Sequence, residues 1–476
     1  MKKISGILAA GVLGIILIIP GIIKGGYEKQ EFADRRARLM KQIGNSMAVF
    51  RGAELKLRNG DVYYDFRQTS DFYYLTGYEE PDAAFFLLPE DDMKFVLFVR
   101  KKGFGEELFG GKQKTPKELM MYYGSDTVFY MNEFNERFEE FLSGKEKFYY
   151  TPVNESFDDK VYGLFNKLIG LESKDVMDPS PMVHEMRLIK SPYEIRLLQK
   201  SIDITCNAQI EAMKNTAPGM NEYEIAAMVD YIFHKNGSER RGFPSIVASG
   251  LNSTVLHYEK NNGEMNNGDL LMLDIGAEYG YYSADVTRTF PVNGKFSDLQ
   301  KDIYQIALSA TTEAVNMVAP GVGFKEMHQR SIQIINEGLY KLGLISDKES
   351  NWQYRVWLIY WSYHWLGLDT HDVGDAGFGE ERGRILEPGM VLAIEPGIYI
   401  NKQLFDDLPE LGGKIFPFIS KEELNEFIAK VRPAVEKYAD ICCRIEDDVL
   451  VTENGAVNLS AKAPREIEDI ERVMTR

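Results

Sequence analysis

The sequence predicts a two-domain α+β protein, in which a smaller α/β domain precedes a larger α+β domain. Three observations carry that prediction. The chain of 476 residues is longer than one hydrophobic core comfortably organises. Helical and strand patterns mix from about Phe32 to Leu171, the signature of an α/β domain. Further on, Ala217-Pro-Gly-Met-Asn-Glu-Tyr-Glu224 is echoed by Ala319-Pro-Gly-Val-Gly-Phe-Lys-Glu326. Each copy belongs to a helix-helix unit leading into strands, which suggests internal duplication with pseudo-twofold symmetry. The expected divisions are residues 1-30 as a membrane anchor or signal segment, 31-171 as the N-terminal domain and 183-460 as the larger domain.

Composition narrows the possible partners. Lys+Arg 55 against Asp+Glu 72 gives a net charge of −17, which repels phosphate backbones and argues against nucleic acid. Peptides or small molecules fit better. With 44% hydrophobic residues and no low-complexity tract the chain is globular. Its three cysteines, Cys206, Cys442 and Cys443, form neither a disulfide framework nor a zinc spacing, and read as small core residues.

Taken in order, Met1-Lys2-Lys3 precedes a charge-free run from Ile4 to Ile23, long enough as a helix to cross about 30 Å of hydrocarbon. Residues 4-23 therefore read as a membrane segment. No Ala-x-Ala cleavage pattern follows, which favours an uncleaved anchor over a removed signal peptide. The alternative is a secreted or periplasmic protein after cleavage. Basic residues flank both ends, so the side of the membrane stays open.

Phe32 to Ile43 has the spacing of an amphipathic helix, and Met47-Ala-Val-Phe50 and Phe95-Val-Leu-Phe98 read as buried strands. Asp65-Phe-Arg-Gln-Thr-Ser-Asp71-Phe-Tyr-Tyr-Leu-Thr-Gly77 alternates polar and aromatic residues, which suits a surface that packs against something else. Ser191-Pro-Tyr-Glu194 is a capping box with proline at the first helical position, so a long helix starts there and stops near Ala217-Pro-Gly219. Asn221 with Glu224 opens the next helix, and Ser297 with Gln300 a third.

The stretch Gly268 to Phe290 reads as two strands joined by a tight turn at Tyr279-Gly280. That register sets Asp274 directly opposite Asp285 on one face, with Cβ atoms roughly 5 Å apart. Like charges so close either share a proton or hold a cation. Leu270-Leu-Met-Leu273 is a continuous apolar run, the mark of a strand buried on both faces and ending in a charge. A buried charge requires a partner, and the cation is the reading adopted.

Downstream, Tyr363-His364 to His371-Asp372 holds two of the chain's six histidines. Glu387-Pro-Gly-Met-Val-Leu-Ala-Ile-Glu395 is a turn and an apolar strand ending in a carboxylate, and Arg444-Ile-Glu446 opens another strand. Four carboxylates and His364 make an oxygen-rich ligand set suited to manganese, cobalt, zinc or iron, with two ions about 3.5–4 Å apart where carboxylates bridge.

These strings, in this order, resemble the aminopeptidase P and prolidase family. The resemblance implies a pita-bread (creatinase/aminopeptidase-like) catalytic domain, and an N-terminal domain similar to that of aminopeptidase P. It implies that Asp274, Asp285, His364, Glu395 and Glu446 bind two divalent metal ions, manganese foremost, with Asp285 and Glu446 bridging. A hydroxide between the metals would attack the scissile carbonyl, with Glu395 shuttling its proton. His257 and His371 match substrate-facing catalytic histidines, and Tyr399 and Arg444 match positions near the site. Asp61 matches a position facing the substrate's amino end.

The implied function is a metal-dependent aminopeptidase that releases the N-terminal residue from peptides with proline second. Alternatives are a prolidase restricted to Xaa-Pro dipeptides, or a catalytically silent member acting as a binding module. A dimer or tetramer is expected. Two departures stand out. Where family members commonly read His-Gly-x-x-His, this chain has Tyr360-Trp361-Ser-Tyr-His364, so an aromatic replaces a substrate-facing histidine. A long insertion near 403-440, with a helix around Lys421 to Lys437, separates Glu395 from Glu446.

Overall fold

The computed structural model describes residues 26–145, 147–152, 155–169, 176–358 and 360–475. Its contacts divide the chain into two compact units, one ending at Met177 and the other running from Asp178 to the C-terminus. The apolar run Ile4 to Ile23 lies outside the described residues, among which no helix is long and apolar enough to cross a membrane.

The first unit is built on a mixed six-stranded sheet. Its strand order is Thr127–Tyr130, Phe95–Val99, Ala84–Leu87, Ser46–Arg51, Lys147–Tyr150 and Val176–Met177. The two central pairings of Ala84–Leu87 are antiparallel and the outer ones parallel. Phenylalanines fill one face: Phe86 packs edge-on against Phe134 at 5.2 Å and Phe98 against Phe134 at 5.3 Å. The Asp65 to Gly77 string packs through its second half, while Asp65 at its start is exposed. Ser70–Thr76 is a helix whose residues from Phe72 to Thr76 are all buried. Phe72 meets Phe85, and Tyr73 meets Phe32 of the helix Gly26–Ile43. The helix Ser70–Thr76 stops at Gly77, which has a left-handed φ of 66°. A Cβ there would also collide with the Phe32 ring, so both the turn and the packing require glycine.

In the second unit the cap signals set the helix starts. Ser191 Oγ accepts from the Glu194 amide and Glu194 Oε2 from the Ser191 amide, opening Pro192–Asn215. Three further helices, Glu222–Lys235, Asp298–Met317 and Phe324–Leu342, complete two helix pairs. Each pair is followed by an antiparallel sheet. One holds Ile246–Ser249, Leu270–Ile275 and Val286–Pro291; the other holds Tyr363–Trp365, Val391–Ile394, Asp447–Thr452 and Gly455–Asn458. Leu270–Ile275 and Val391–Ile394 are buried throughout, as their apolar runs require, and Val286–Pro291 is buried throughout despite Thr287, Arg288 and Thr289.

The two half-sheets meet where Val286–Pro291 runs beside Arg444 to Glu446. The Glu446 amide donates to the Thr287 carbonyl at 3.1 Å, and the Arg444 amide to Thr289 Oγ1 at 3.2 Å. Fully buried Arg288 reinforces the seam by donating to the carbonyls of Thr287 and Glu446. This seam brings the carboxylates of the two halves to one place. The insertion contributes Lys421–Lys437, and also a helix that the sequence did not announce, Lys402–Ile415. Phe405, Leu408, Phe427 and Val431 from this pair join the main core.

The predicted hairpin needs one correction. Its turn is Gly280-Tyr281 rather than Tyr279-Gly280, and both residues have positive φ, 57° and 70°. Tyr281 tolerates that conformation because its ring is buried against Arg240, a tertiary contact that local propensity cannot report. The pairing is Tyr279↔Tyr282 and Glu278↔Ser283, then Asp274↔Thr287. Asp274 and Asp285 are therefore diagonal, not directly opposed. A displacement of two residues preserves the alternation of faces, so the carboxylates still converge. At Gly276 a Cβ would overlap the Ala284 carbonyl, and only glycine lets the strands approach there.

Candidate metal centre

Each carboxylate of the centre sits at or beside the end of a buried strand. Asp274 is in Leu270–Ile275, Asp285 just precedes Val286–Pro291, Glu395 just follows Val391–Ile394, and Glu446 just precedes Asp447–Thr452. His364 is the middle residue of Tyr363–Trp365. Ligand atoms of Asp274, Asp285 and Glu446 lie within 4.8 Å of one another, as do those of His364, Glu395 and Glu446, and those of Asp285, His364 and His371.

The chemistry of this donor set fits a cation. His364 Nδ1 lies 3.1 Å from the Trp365 carbonyl and donates to it, which leaves Nε2 as the nitrogen available to a cation. The Nε2 lone pair then faces Asp285 Oδ2 at 3.5 Å and carboxylate oxygens of Glu395 and Glu446 at 3.7 Å. Asp274 Oδ1, Glu446 Oε1 and His364 Nε2 are buried and have no hydrogen-bond partner among the described residues. Acceptors aimed at acceptors in a dry interior are unfavourable unless a cation stands among them.

The ionisation of the centre reflects the same imbalance. Burial, and then the charge of Glu446, push Glu395 up to about 8. Burial raises Asp274 although Arg444 opposes it. Asp285 is raised well above the usual range by burial and by Glu446 and Asp274. Glu446 goes the other way: burial would raise it, but His364 and Arg444 outweigh burial. His364 is raised because those carboxylates outweigh its own burial.

A chain of ordered donors braces the cluster. Arg444 pairs with Asp274, and also donates through Nη1 to Tyr399 Oη at 3.0 Å and through Nε to Thr287 Oγ1 at 3.2 Å. Thr287 Oγ1 in turn donates to Glu446 Oε2 at 2.7 Å. Tyr360 Oη donates to the Glu395 carbonyl at 2.9 Å and lies 3.1 Å from Tyr399 Oη. Its ring also lines the cavity above the cluster, whose volume is about 650 Å³.

His257 and His371, both exposed, line that cavity too. His371 stands edge-on to His364 with ring centroids 4.3 Å apart. Loss of water on the side of its ring that faces the cluster, and then the nearby His364, lower the His371 pKa. Asp61 belongs to the first unit, where it is exposed in the turn between the short strands Leu57–Asn59 and Val62–Tyr63.

Three contributors were not singled out from the sequence. Thr287 lies two residues beyond Asp285 on the same strand face, so alternation was the available signal. Asp448 stands likewise two beyond Glu446, and its Oδ2 accepts from the Asp285 amide at 3.1 Å. Glu222 had no local signal. Its buried carboxylate accepts from the Ser249 amide and hydroxyl, Asn252 Nδ2, Tyr258 Oη and the Gly263 amide. The loop that carries His257 is folded around it.

A buried, oxygen-rich, cation-seeking cluster at the floor of a cavity is the centre of a metallohydrolase. Residues 196–453 match metallopeptidase family M24, and residues 32–150 match the aminopeptidase P N-terminal domain. The chain belongs to metallopeptidase family M24. It is 36% identical to a Xaa-Pro aminopeptidase of Haemophilus influenzae, over 94% of this chain and 97% of that protein. The figure is 34% for a Xaa-Pro aminopeptidase of Escherichia coli, over 94% and 98%. Among solved structures, Pseudomonas aeruginosa aminopeptidase PepP superimposes with a TM-score of 0.83 at 34% identity, covering 94% of this chain and 98% of that one. Zinc-substituted Escherichia coli aminopeptidase P in complex with product gives 0.83 at 35% identity, with the same coverage.

Proposed function

We propose that this protein is a metal-dependent aminopeptidase that releases the N-terminal residue from peptides whose second residue is proline. The observation that carries the reading is the set of buried, unpartnered ligand atoms of Asp274, Glu446 and His364 on the floor of the cavity. Relatives named Xaa-Pro aminopeptidase, matched over nearly their whole length, support the same substrate.

Asp274, Asp285, His364, Glu395 and Glu446 would hold two divalent ions, manganese foremost, with Asp285 and Glu446 shared between them. Metal bound there supplies a water that ionises near neutral pH and a Lewis acid for the peptide carbonyl. Glu395 is the residue to hold a proton and pass it to the departing proline nitrogen, which bears no hydrogen in the intact peptide. His257 and His371 present imidazole N–H groups from the cavity walls to the carbonyl oxygen and the proline side. Arg444 and Tyr399 orient Asp274 and, through Tyr360, the backbone at Glu395. Asp61 is assigned to the substrate's amino end.

The decisive assay is a length series of Xaa-Pro, Xaa-Pro-Yaa and longer peptides with manganese. Cleavage of the tripeptide and longer chains before proline, abolished by acetylating the amino end, is expected. Hydrolysis confined to dipeptides would make the protein a prolidase, and no hydrolysis by a metal-replete sample would make it a silent binding module. We also assign residues 4–23 to membrane anchoring, because the run is charge-free. Full-length protein found wholly in the soluble fraction of its host would refute that. A homo-oligomer, dimer or tetramer, is expected in solution and is checked by light scattering.

A further inference from the structure

One wall of the cavity is aromatic from floor to mouth, and the hydrolytic chemistry makes no use of its outer part, Trp361 and Phe378. Near the floor is Tyr360, with its hydroxyl on the Glu395 carbonyl. Beside it stands half-buried Trp361, and at the mouth is Phe378, which is 57% exposed. Trp361 and Phe378 meet edge to face at 5.0 Å. Behind Trp361, buried His328 of Phe324–Leu342 stacks on the indole, with centroids 3.7 Å apart and planes 20° apart. Burial, and then Arg355, lower the His328 pKa to about 4, so the backing ring is neutral at physiological pH.

Phe378 is exposed yet fixed at its base. The Arg384 amide donates to the Ala376 carbonyl at 2.9 Å, and the Gly377 amide to Asp375 Oδ1 at 2.7 Å. Gly377 and Gly383 both take left-handed φ, 66° and 72°, and a Cβ on Gly377 would meet the backbone of Gly383 and Arg384. The loop that presents Phe378 is thus closed at its neck and carries a large apolar ring into water, an arrangement that a ligand surface would complete.

We infer that Trp361 and Phe378 form a subsite for the residue that follows proline, and that it selects an aromatic or large apolar side chain there. The inference rests on the exopeptidase reading above. An enzyme that removes one residue encloses the short end of its substrate and lets the long end leave through the mouth. The wall that reaches the mouth therefore faces residues downstream of the cut. The ring of proline occupies the space nearest the metal ligands and Tyr360, and the next side chain reaches Trp361 and Phe378. An edge-to-face or stacked ring there improves affinity roughly two- to tenfold over a residue without a side chain.

The test uses the product-type dipeptides Pro-Phe and Pro-Gly, titrated calorimetrically into manganese-loaded protein, alongside turnover of Ala-Pro-Phe and Ala-Pro-Gly. Pro-Phe is expected to bind several-fold more tightly in the wild type, and the ratio should fall close to one in Phe378→Ala. Trp361→Leu should lower it by a similar factor. Equal affinities in the wild type, or a ratio that Phe378→Ala leaves intact, would overturn the subsite. Preferential binding of Pro-Phe with cleavage of neither tripeptide would leave the subsite standing and remove the peptidase reading instead.

Discussion

Two groups of buried carboxylates lie within the second unit, and they are treated in opposite ways. Asp447 accepts from Arg288 at 2.7 Å and Ser460 at 2.8 Å, and pairs also with Arg465. Asp372 is held by Arg187 and, at 3.1 Å, by Lys190. Burial alone would raise both, but the neighbouring cations outweigh it and keep them below the usual carboxylate range. One residue earlier in the chain, Glu446 belongs to a cluster with a single arginine for four carboxylates, and three of those four are raised. At Asp447 and Asp372 the fold compensates buried charge with cations. The cluster at the cavity floor is left short of positive charge, and that shortage is its capacity to bind metal.

The largest expected effect separates the two groups by what they lose when metal is removed. Chelation should abolish peptide hydrolysis, a loss on the order of 10³-fold or more since several kcal/mol of transition-state stabilisation goes with it. It should also lower the melting temperature, because the carboxylates are left facing one another. Elemental analysis that finds a fully active, metal-free preparation would sink the assignment.

Next comes Asp447→Asn, which strands Arg288 and Arg465 in the interior. The expected loss is about 3–5 kcal/mol of stability by denaturant titration, the range for breaking a buried pair. Metal content of the folded fraction should stay near wild type. If the variant unfolds no more easily, the contrast between the two groups is wrong.

This contrast also explains what could be read from the chain. Capping boxes at Ser191, Asn221 and Ser297 are local, so they were visible as strings, and so were apolar runs ending in Asp274 and Glu395. Alternation carried Asp274 and Asp285 to one face even with the turn misplaced, because an error of two residues is invisible to a period of two. The turn itself depended on Tyr281 packing on Arg240, which is tertiary. The helix Lys402–Ile415 was hidden by Pro409 within it, although Asn401 caps its start. Which buried acid would be paired with Arg288 and which would be left in the metal cluster could not be read at all. Glu446, Asp447 and Asp448 are adjacent in sequence, and only the packing of other strands distinguishes them.

The pH dependence should distinguish the two groups in opposite senses. In metal-free protein Asp274, Asp285, Glu395 and His364 bind protons more tightly than in the unfolded chain, with only Glu446 opposed. The contribution of the three carboxyls is full below their unfolded range of roughly 4 and is lost as pH rises toward about 8, where Glu395 ionises, while that of His364 is full below its unfolded value of about 6.5 and is lost above it. Asp447 and Asp372, being depressed, contribute above that range and fail only as acid protonates them. Metal-free protein should therefore melt highest at weakly acidic pH, whereas metal affinity should climb with pH as the ligands deprotonate. A metal-free melting temperature that rises steadily from pH 5 to 8 would contradict this.

A smaller effect is expected from Asp285→Asn. Removing one charge from an uncompensated cluster should stabilise the metal-free protein by roughly 1 kcal/mol while costing metal and turnover. Thermal melts of chelated wild type and variant decide it, and a destabilised variant would mean that Asp285 is structural.

The smallest effect tests where the two regimes touch. The Tyr360, Tyr399 and Arg444 side chains are fully bonded to one another, yet they end on the Glu395 carbonyl and on Asp274, both in the uncompensated cluster. With Arg444 donating to Tyr399, and Tyr360 donating to the carbonyl, the remaining hydroxyl proton of Tyr399 points to Tyr360, so the chain of donors has one direction. Tyr360→Phe removes only its last link and leaves the ring in the cavity wall. One neutral hydrogen bond contributes about 1 kcal/mol net, so kcat should fall roughly fivefold as Glu395 loses its brace. KM for Xaa-Pro peptides and metal content should hardly move, since neither the apolar surface nor a ligand atom has changed. Should KM rise while kcat is preserved, the hydroxyl contacts substrate rather than positioning Glu395, and Tyr360 belongs to the binding wall alone.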